Sequence, residues 1–407
     1  MKRLVCFVLI LVSILGLLTL SGCSNNSSAS STSDKITITI WEDESNISVV
    51  STLCEYFLAD YYKKYPLAPK IEIKIIAQAE ASAVEGLQVA GPAGNGPDIF
   101  AFVHDTLGTA VNSGLISENI YASKLEEVQS EDALNAFTYE GVLYGYPITA
   151  ESLTVMYDKS KITAEQLASF DSIKSANKKI AWTVSNTNSG YYPFGLFTDS
   201  VLFGEDGTDE DVIDLNTTKA VNNLYSFYKD YSSVIENATV NEGFSLLQTG
   251  EVVGIISSPY LWADVKNALG ENAAIAVLPK INGENQRPFS GYKGYGVNRY
   301  SKNPTIAHML AEYLSSEEAQ YLRLVEKEYL PTISSDRIEK YISNSSSLQV
   351  FKQSLDNSIT MPNILKMGSY WSPMQDVMTE LWNARTSITK SLIEEKLQSA
   401  ESLIKSK

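Results

Sequence analysis

Ile36, Ile38 and Ile40 alternate with Lys35, Thr37 and Thr39 and run into Trp41. This period of two predicts a strand. Val50, Leu53, Phe57 and Tyr61 then recur three to four residues apart, the spacing of one helical face. Ile71, Ile73 and Ile75 alternate again, and a second helical stretch leads into the Gly91, Gly94 and Gly96 turn. The uninterrupted run Ile99 to Val103 suits a strand buried on both faces. Strand, helix, strand, helix, strand predicts a mainly parallel sheet with helices on both sides. Ligands of such sheets sit beyond the carboxyl ends of the strands. Trp41 and the segment Phe102 to Asp105 fall at such ends.

The same alternation of types continues. Leu143 to Tyr157 is extended in character, and further strands are expected at Ile180 to Val184, Val252 to Ser257 and Ala274 to Leu278. Helices are expected at Ala220 to Tyr231, near Asn241 to Thr249, and from Pro304 to Leu314. Near the end, Ser372-Pro373 reads as an N-cap and first helical residue. Met374, Val377, Met378, Leu381 and Trp382 then form one apolar stripe. At 407 residues the chain exceeds what one core usually organises, so two α/β lobes are expected.

Ahead of this body, Met1-Lys2-Arg3 is basic and Leu4 to Leu20 is apolar apart from Ser13, Gly16 and Thr19. That pattern is a secretory signal peptide, 1–22, close to the length at which a membrane span becomes the alternative. Leu20-Ser21-Gly22-Cys23 resembles the bacterial lipobox, which makes Cys23 the lipidated first residue of the processed chain. Residues 24–34, rich in Ser and Asn, with Lys35 form a flexible tether, and the protein is expected on the outer face of the bacterial cell membrane.

Charge and rare residues narrow the chemistry. A net charge of -16 argues against nucleic acid as a partner and against lying flat on an anionic membrane. Of three cysteines, only Cys54 remains after Cys6 leaves with the signal and Cys23 takes lipid, so no intramolecular disulfide is expected. With His104 and His308 the only histidines and no paired CxxC, neither a metal site nor a cofactor is expected. GxSxG, HExxH, Walker A and GxGxxG are absent. A carboxylate pair such as Asp105 with Glu151 keeps a glycoside hydrolase open as the alternative.

Aromatics near polar residues at strand ends are the remaining chemical signal: Trp41, Phe102, Tyr191, Tyr192, Tyr260, Trp262, Tyr370 and Trp371. Aromatic faces cover the C–H face of a sugar, and carboxylates accept from its hydroxyl rim. The segments GNGPDIFAFVHD (94–105), LYGYPITAESLTVMYDK (143–159), LQTGEVVGIISSPYLW (247–262) and MPNILKMGSYW (361–371), with ITIW (38–41), resemble the maltose/maltodextrin-binding proteins of ATP-binding-cassette importers. The resemblance spans nearly all of the processed chain. It implies a periplasmic-binding-protein-like fold with a hinge and a central cleft. One lobe would comprise 36–149 with about 292–332, the other 150–291 with about 333–407. It further implies a monomer that binds an oligosaccharide without a catalytic step and delivers it to permease subunits; a sugar sensor without transport is the other alternative. Ligand contacts implied are Trp41, Asp43, Phe102 and Asp105 from the first lobe, Glu151 just past the crossing, and Tyr191, Tyr260, Tyr370 and Trp371 from the second. Asp43 keeps only the acidic character of its loop, and Glu85 would stand in for a glutamate of the helix before the glycine turn. Two positions usually held by arginine are Thr106 and Gln375, so the charge balance predicts a neutral ligand.

Overall fold

A computed structural model describes residues 35–406. The signal peptide, Cys23 and most of the tether lie outside the described residues.

Two sheets, each with its own core, organise the chain. The first is built on β1 (Ile36–Glu42), β2 (Ile71–Ala77) and β3 (Ile99–Val103). β1 pairs in parallel with both others, in the register Ile38↔Ile73 and Ile40↔Ile99. Helices Ile47–Lys64 and Ala83–Ala90 supply the crossovers. Alternation settles β1: Ile38 and Ile40 are fully buried while Thr37 and Thr39 are not.

The chain then crosses. β4 (Tyr146–Ser152) belongs to the first sheet, and after Leu153 the backbone continues as β5 (Thr154–Asp158) of the second. That second sheet adds β6 (Ile180–Trp182), β7 (Ile235–Asn237), β8 (Gly254–Ser257) and β9 (Ala273–Ala276), in the order β7-β6-β8-β5-β9. The return strand β10 (Phe289–Val297) re-enters the first sheet, pairing antiparallel with β3 and β4 and in parallel with β11 (Ile359–Thr360). A third segment joins them where Ala150 N donates to Leu330 O at 3.0 Å. The first sheet is therefore parallel in β1–β3 and mixed beyond.

His104 ties these crossings together. It is fully buried, with Nε2 2.8 Å from Met361 O and Nδ1 3.0 Å from the backbone N of Tyr292. Burial pushes its pKa down to about 4, so the neutral ring is the form that packs here.

Three local expectations are corrected. The final apolar stripe is present, with Met374, Val377, Met378 and Leu381 buried, but its helix begins at Trp371, so Ser372-Pro373 lies inside the first turn. Trp382 flanks the stripe half-buried, with the Arg385 guanidinium 4.5 Å above its ring. Phe102 is fully buried within the first core, its ring 5.2 Å from Phe100 and 5.3 Å from Phe137. β3 lies between β1 and β10 and is covered on both faces, so both alternate sets from Ile99 to Phe102 are buried and only Val103 at its end is partly exposed.

Phe102→Ala should therefore act as a core truncation, costing about 3–5 kcal/mol of stability. Equilibrium denaturation checks this; a loss below about 1 kcal/mol would place the ring at a surface.

Candidate functional site

The hinge strands divide two spaces. On β4 and β10, Ala150, Ser290 and Tyr292 line a hollow of about 410 Å³ on one face. Glu151 and Lys293, one residue out of phase, meet on the other face. The period-two pleat thus sends neighbouring residues to opposite sides of the hinge. The second face gathers the polar groups that follow.

Lys293 is the centre of that face. Its Nζ lies 3.0 Å from Glu80 Oε2 and 3.4 Å from Glu151 Oε2, and 5.8 Å from the centre of the Tyr329 ring. Side-chain exposures are only 13% for Lys293, 7% for Glu80 and 15% for Glu151. Burial works to lower the lysine pKa, but Glu151 and Glu80 outweigh it and hold it well above its usual value. Burial in turn raises the Glu80 carboxyl, and Lys293 opposes that. Glu80 Oε1 has no hydrogen-bond partner.

Around this triad stand residues from both lobes. Tyr191, in the second lobe at the start of the short helix Tyr192–Leu196, is half-buried. Burial first, then the Glu151 charge, raises its pKa, while the nearby Ser258 side chain and the charge of Lys293 oppose this. Its ring lies 6.4 Å from Phe289, nearly parallel. Asp105 is the middle residue of the turn His104–Thr106 after β3. Although half-exposed at its surface, its carboxyl is recessed, and burial pushes its pKa up to about 7.

Trp371 begins the helix Trp371–Asn383 and is half-buried. A Cβ on Gly190 would lie 3.4 Å from its ring, so the glycine beside Tyr191 lets the indole approach that backbone closely. Tyr370 supports Trp371 from behind: it is fully buried, 5.1 Å from the indole, and donates to Gly190 O at 2.8 Å. Its expected ligand contact is thus corrected to a packing role, as for Phe102, because its hydroxyl is already satisfied inside the core. Tyr260, on the turn Pro259–Leu261, is 44% exposed. Trp262 is buried and donates from Nε1 to Glu328 at 2.5 Å.

At the end of β1, Trp41 is half-buried against Gly86, where a Cβ would come within 3.3 Å of the ring. Asp43 is half-buried and accepts from Ser45 N at 3.0 Å, capping the turn Glu44–Asn46. Between them Glu42 points into the core, where it accepts from Tyr295 Oη and from Asn46 Nδ2 at 3.2 Å. Arg323 Nη2 donates to the same tyrosine oxygen at 2.9 Å. Burial, then the nearby Glu80 charge, pushes the Glu42 pKa up to about 7 against the pull of Arg323.

Sequence reading missed Lys293, Glu80 and Tyr329. Glu85, the expected stand-in, is exposed on its helix, and Glu80 occupies the recessed position one short turn earlier. Asp98 accepts from Thr39 N at 2.8 Å and from Ser301 Oγ at 2.5 Å, in keeping with the turn role its Gly-Pro setting suggests. Among the described residues no group of three or more His, Cys, Asp or Glu side chains is arranged to hold a metal ion.

Two α/β lobes, crossing strands and a polar, aromatic-flanked floor between them define a solute-binding architecture. Residues 58–337 match the family model described as bacterial extracellular solute-binding protein, and the chain belongs to that family. It is 27% identical to the galactooligosaccharide-binding protein of Bacillus subtilis (strain 168), over 96% of this chain and 95% of the relative. It is 23% identical to the maltodextrin-binding protein of the same organism, over 91% of each. Among solved structures, a maltodextrin-binding protein from L. casei BL23 without ligand superposes with a TM-score of 0.78 at 21% identity, covering 91% of this chain and 98% of that one. A cyclo/maltodextrin-binding protein complexed with maltotetraose gives 0.71 at 25% identity, covering 91% and 96%.

The Glu42 environment gives a pH prediction. A carboxyl whose pKa is higher folded than unfolded adds stability below its unfolded pKa, and that contribution is lost as pH rises through the folded pKa. Between about pH 4.5 and 7, wild type should lose stability relative to Glu42→Gln. Denaturant titrations of both chains across that range check it; parallel pH profiles would contradict it.

Proposed function

We propose that this protein is an extracytoplasmic receptor that binds a neutral oligosaccharide of the maltodextrin or galactooligosaccharide class and delivers it to the permease of an ATP-binding-cassette importer. The observation that carries the reading is the pairing across the cleft. Half-buried Tyr191 and Trp371 stand on the second lobe, and Asp105, Glu151, Glu80 and Lys293 on the first and its hinge. Flat aromatic faces suit the apolar side of a pyranose, and the carboxylates accept hydroxyl protons. The names of the matched relatives agree with this ligand class.

Trp41, Asp43 and exposed Tyr260 extend the same site at its rim. Closure follows from two-sided contact: a ligand touching both lobes binds the closed form better and shifts the population toward it. No step in this cycle requires covalent chemistry at the sugar. Lipid on Cys23 would hold the receptor near its permease, and the intervening residues span ~18 Å as a coil, which raises the effective concentration.

A thermal-shift screen over mono- and oligosaccharides tests the ligand class, because a ligand that binds only the folded chain raises its melting temperature. Maltooligosaccharides or galactooligosaccharides should raise it, and the sugar should be recovered unhydrolysed. In calorimetry, Trp371→Ala should weaken binding of the stabilising sugar by roughly 1–3 kcal/mol while costing less stability than Phe102→Ala. Undiminished affinity in Trp371→Ala, or product formation, would overturn the reading.

A further inference from the structure

At the opposite end of β1 from the cleft, the surface changes character. The helix Ile47–Lys64 ends in Tyr61, Tyr62, Lys63 and Lys64, and the chain turns through Tyr65-Pro66-Leu67-Ala68-Pro69-Lys70 before β2. Leu67 is 97% exposed and Tyr65 40%, with Pro66 and Pro69 also at the surface. The turn is held in place. Tyr62 Oη accepts from Ile71 N at 2.6 Å, Ala68 N donates to Tyr65 O at 3.1 Å, and Ile36 N donates to Lys70 O at 2.9 Å. The Tyr61 ring packs 5.5 Å from Tyr62 and 5.1 Å from Tyr65, and Lys64 Nζ sits 5.4 Å above Tyr65. Two prolines and this packing present a leucine to solvent on a fixed turn.

The charge here is opposite to that of the whole chain. Lys35, Lys63, Lys64, Lys70 and Lys74 are all exposed, and among the described residues the carboxylates of the stretch 60–74 are Asp60 and Glu72. Lys35 bonds Glu72 at 2.7 Å, and the charges of Lys35, Lys74 and Lys70 all act to lower the Glu72 pKa. A chain with a net charge of -16 thus carries a local positive cluster around an exposed leucine and tyrosines.

The position completes the argument. β1 begins at Ile36, hydrogen-bonded to this turn, so the segment that carries Cys23 joins the body here. The cleft residues Trp41 and Asp43 lie at the other end of the same strand, ~20 Å away at the rise per residue of a strand.

We propose that this end, Tyr62 to Lys70 with Lys35 and Lys74, is a membrane-contact surface: the lysines meet anionic phospholipid headgroups, and Leu67 with Tyr65 enters the interfacial layer. Tyrosine and lysine suit that layer, and a basic patch adds electrostatic attraction to anionic lipid beside a lipid anchor. The proposal rests on the lipid-anchor reading of Cys23 and gives it a consequence: the first lobe touches the lipid at the end of β1 where the tether joins, and the cleft residues at the other end of that strand stay clear of it. It also revises the expectation from net charge, because local and not total charge governs contact within a screening length.

The test uses the full chain as processed in the cell, reconstituted in phosphatidylcholine vesicles with or without phosphatidylglycerol. A solvent-sensitive fluorophore is attached at Leu67→Cys, with Val212→Cys, an exposed site in the second lobe, as the control; native Cys54 is buried. The Leu67 probe should shift to the blue and be quenched by brominated lipid when phosphatidylglycerol is present, and the Val212 probe should not. Lys63→Glu with Lys64→Glu and Lys70→Glu should remove the effect. When lipid-free Cys23→Ser chain is titrated onto the same vesicles, each lysine lost should weaken partition about 5-fold. Mass measurement of the processed N-terminus reports the anchor separately, so absence of lipid on Cys23 and absence of surface contact are distinguishable. Equal, water-like emission from both probes on anionic vesicles would overturn the proposal. So would shielding of Leu67 that appears only with rising protein concentration in buffer, which would assign the patch to a second copy of the chain.

Discussion

Strand β10 hydrogen-bonds to three neighbours, β3, β4 and β11, and most of the architecture follows from the space that takes. Its neighbours press so closely that side chains are excluded at alternate positions. A Cβ on Gly294 would lie 2.6 Å from Phe137, and one on Gly296 would lie 2.6 Å from Phe100. Between these glycines and Gly291 stands Lys293, the only charged residue of the strand. The strand is rigid where it meets the first core and leaves that core near Phe289, where the two lobes join. Because the two faces lie on opposite sides of these strands, a rotation about them that narrowed the Lys293 face would widen the hollow on the Tyr292 face.

Such a strand places a lysine where water is scarce, and the surroundings answer that cost. A buried ammonium is tolerated when carboxylates and further dipoles surround it. Glu80 and Glu151 supply the charge and Tyr329 an aromatic face. A few residues away, Glu42, Tyr295 and Arg323 solve the same problem inside the core. The cleft floor is therefore polar and already neutralised in part, which fits hydroxyl-rich, uncharged ligands better than anions. The unpartnered Glu80 oxygen is buried beside that floor.

Much of this frame was legible in the residues. The alternation of Ile36, Ile38 and Ile40 and the spacing from Val50 to Tyr61 located elements that the structure contains. The site was legible only in outline. Asp105, Glu151, Tyr191 and Trp371 lie where the sequence resemblance directed attention, and their contact with a sugar remains a proposal. Phe102 and Tyr370 could not be read correctly, because a continuous apolar run or a tandem aromatic pair does not say which ring faces the core. Lys293 did carry a signal, as a lone cation among Gly, Tyr and Phe. Its partner Glu80 carried none, since the pairing is made by tertiary packing between distant segments. The basic patch around Leu67 was hidden by the net charge of the whole chain.

The central claim is that one oligosaccharide is gripped by both lobes and draws them together. Small-angle X-ray scattering of the same preparation, with and without a sugar whose binding has been demonstrated by calorimetry, addresses this directly. The account predicts a smaller radius of gyration at saturation, with a narrower distance distribution. An unchanged scattering profile at full occupancy would contradict it.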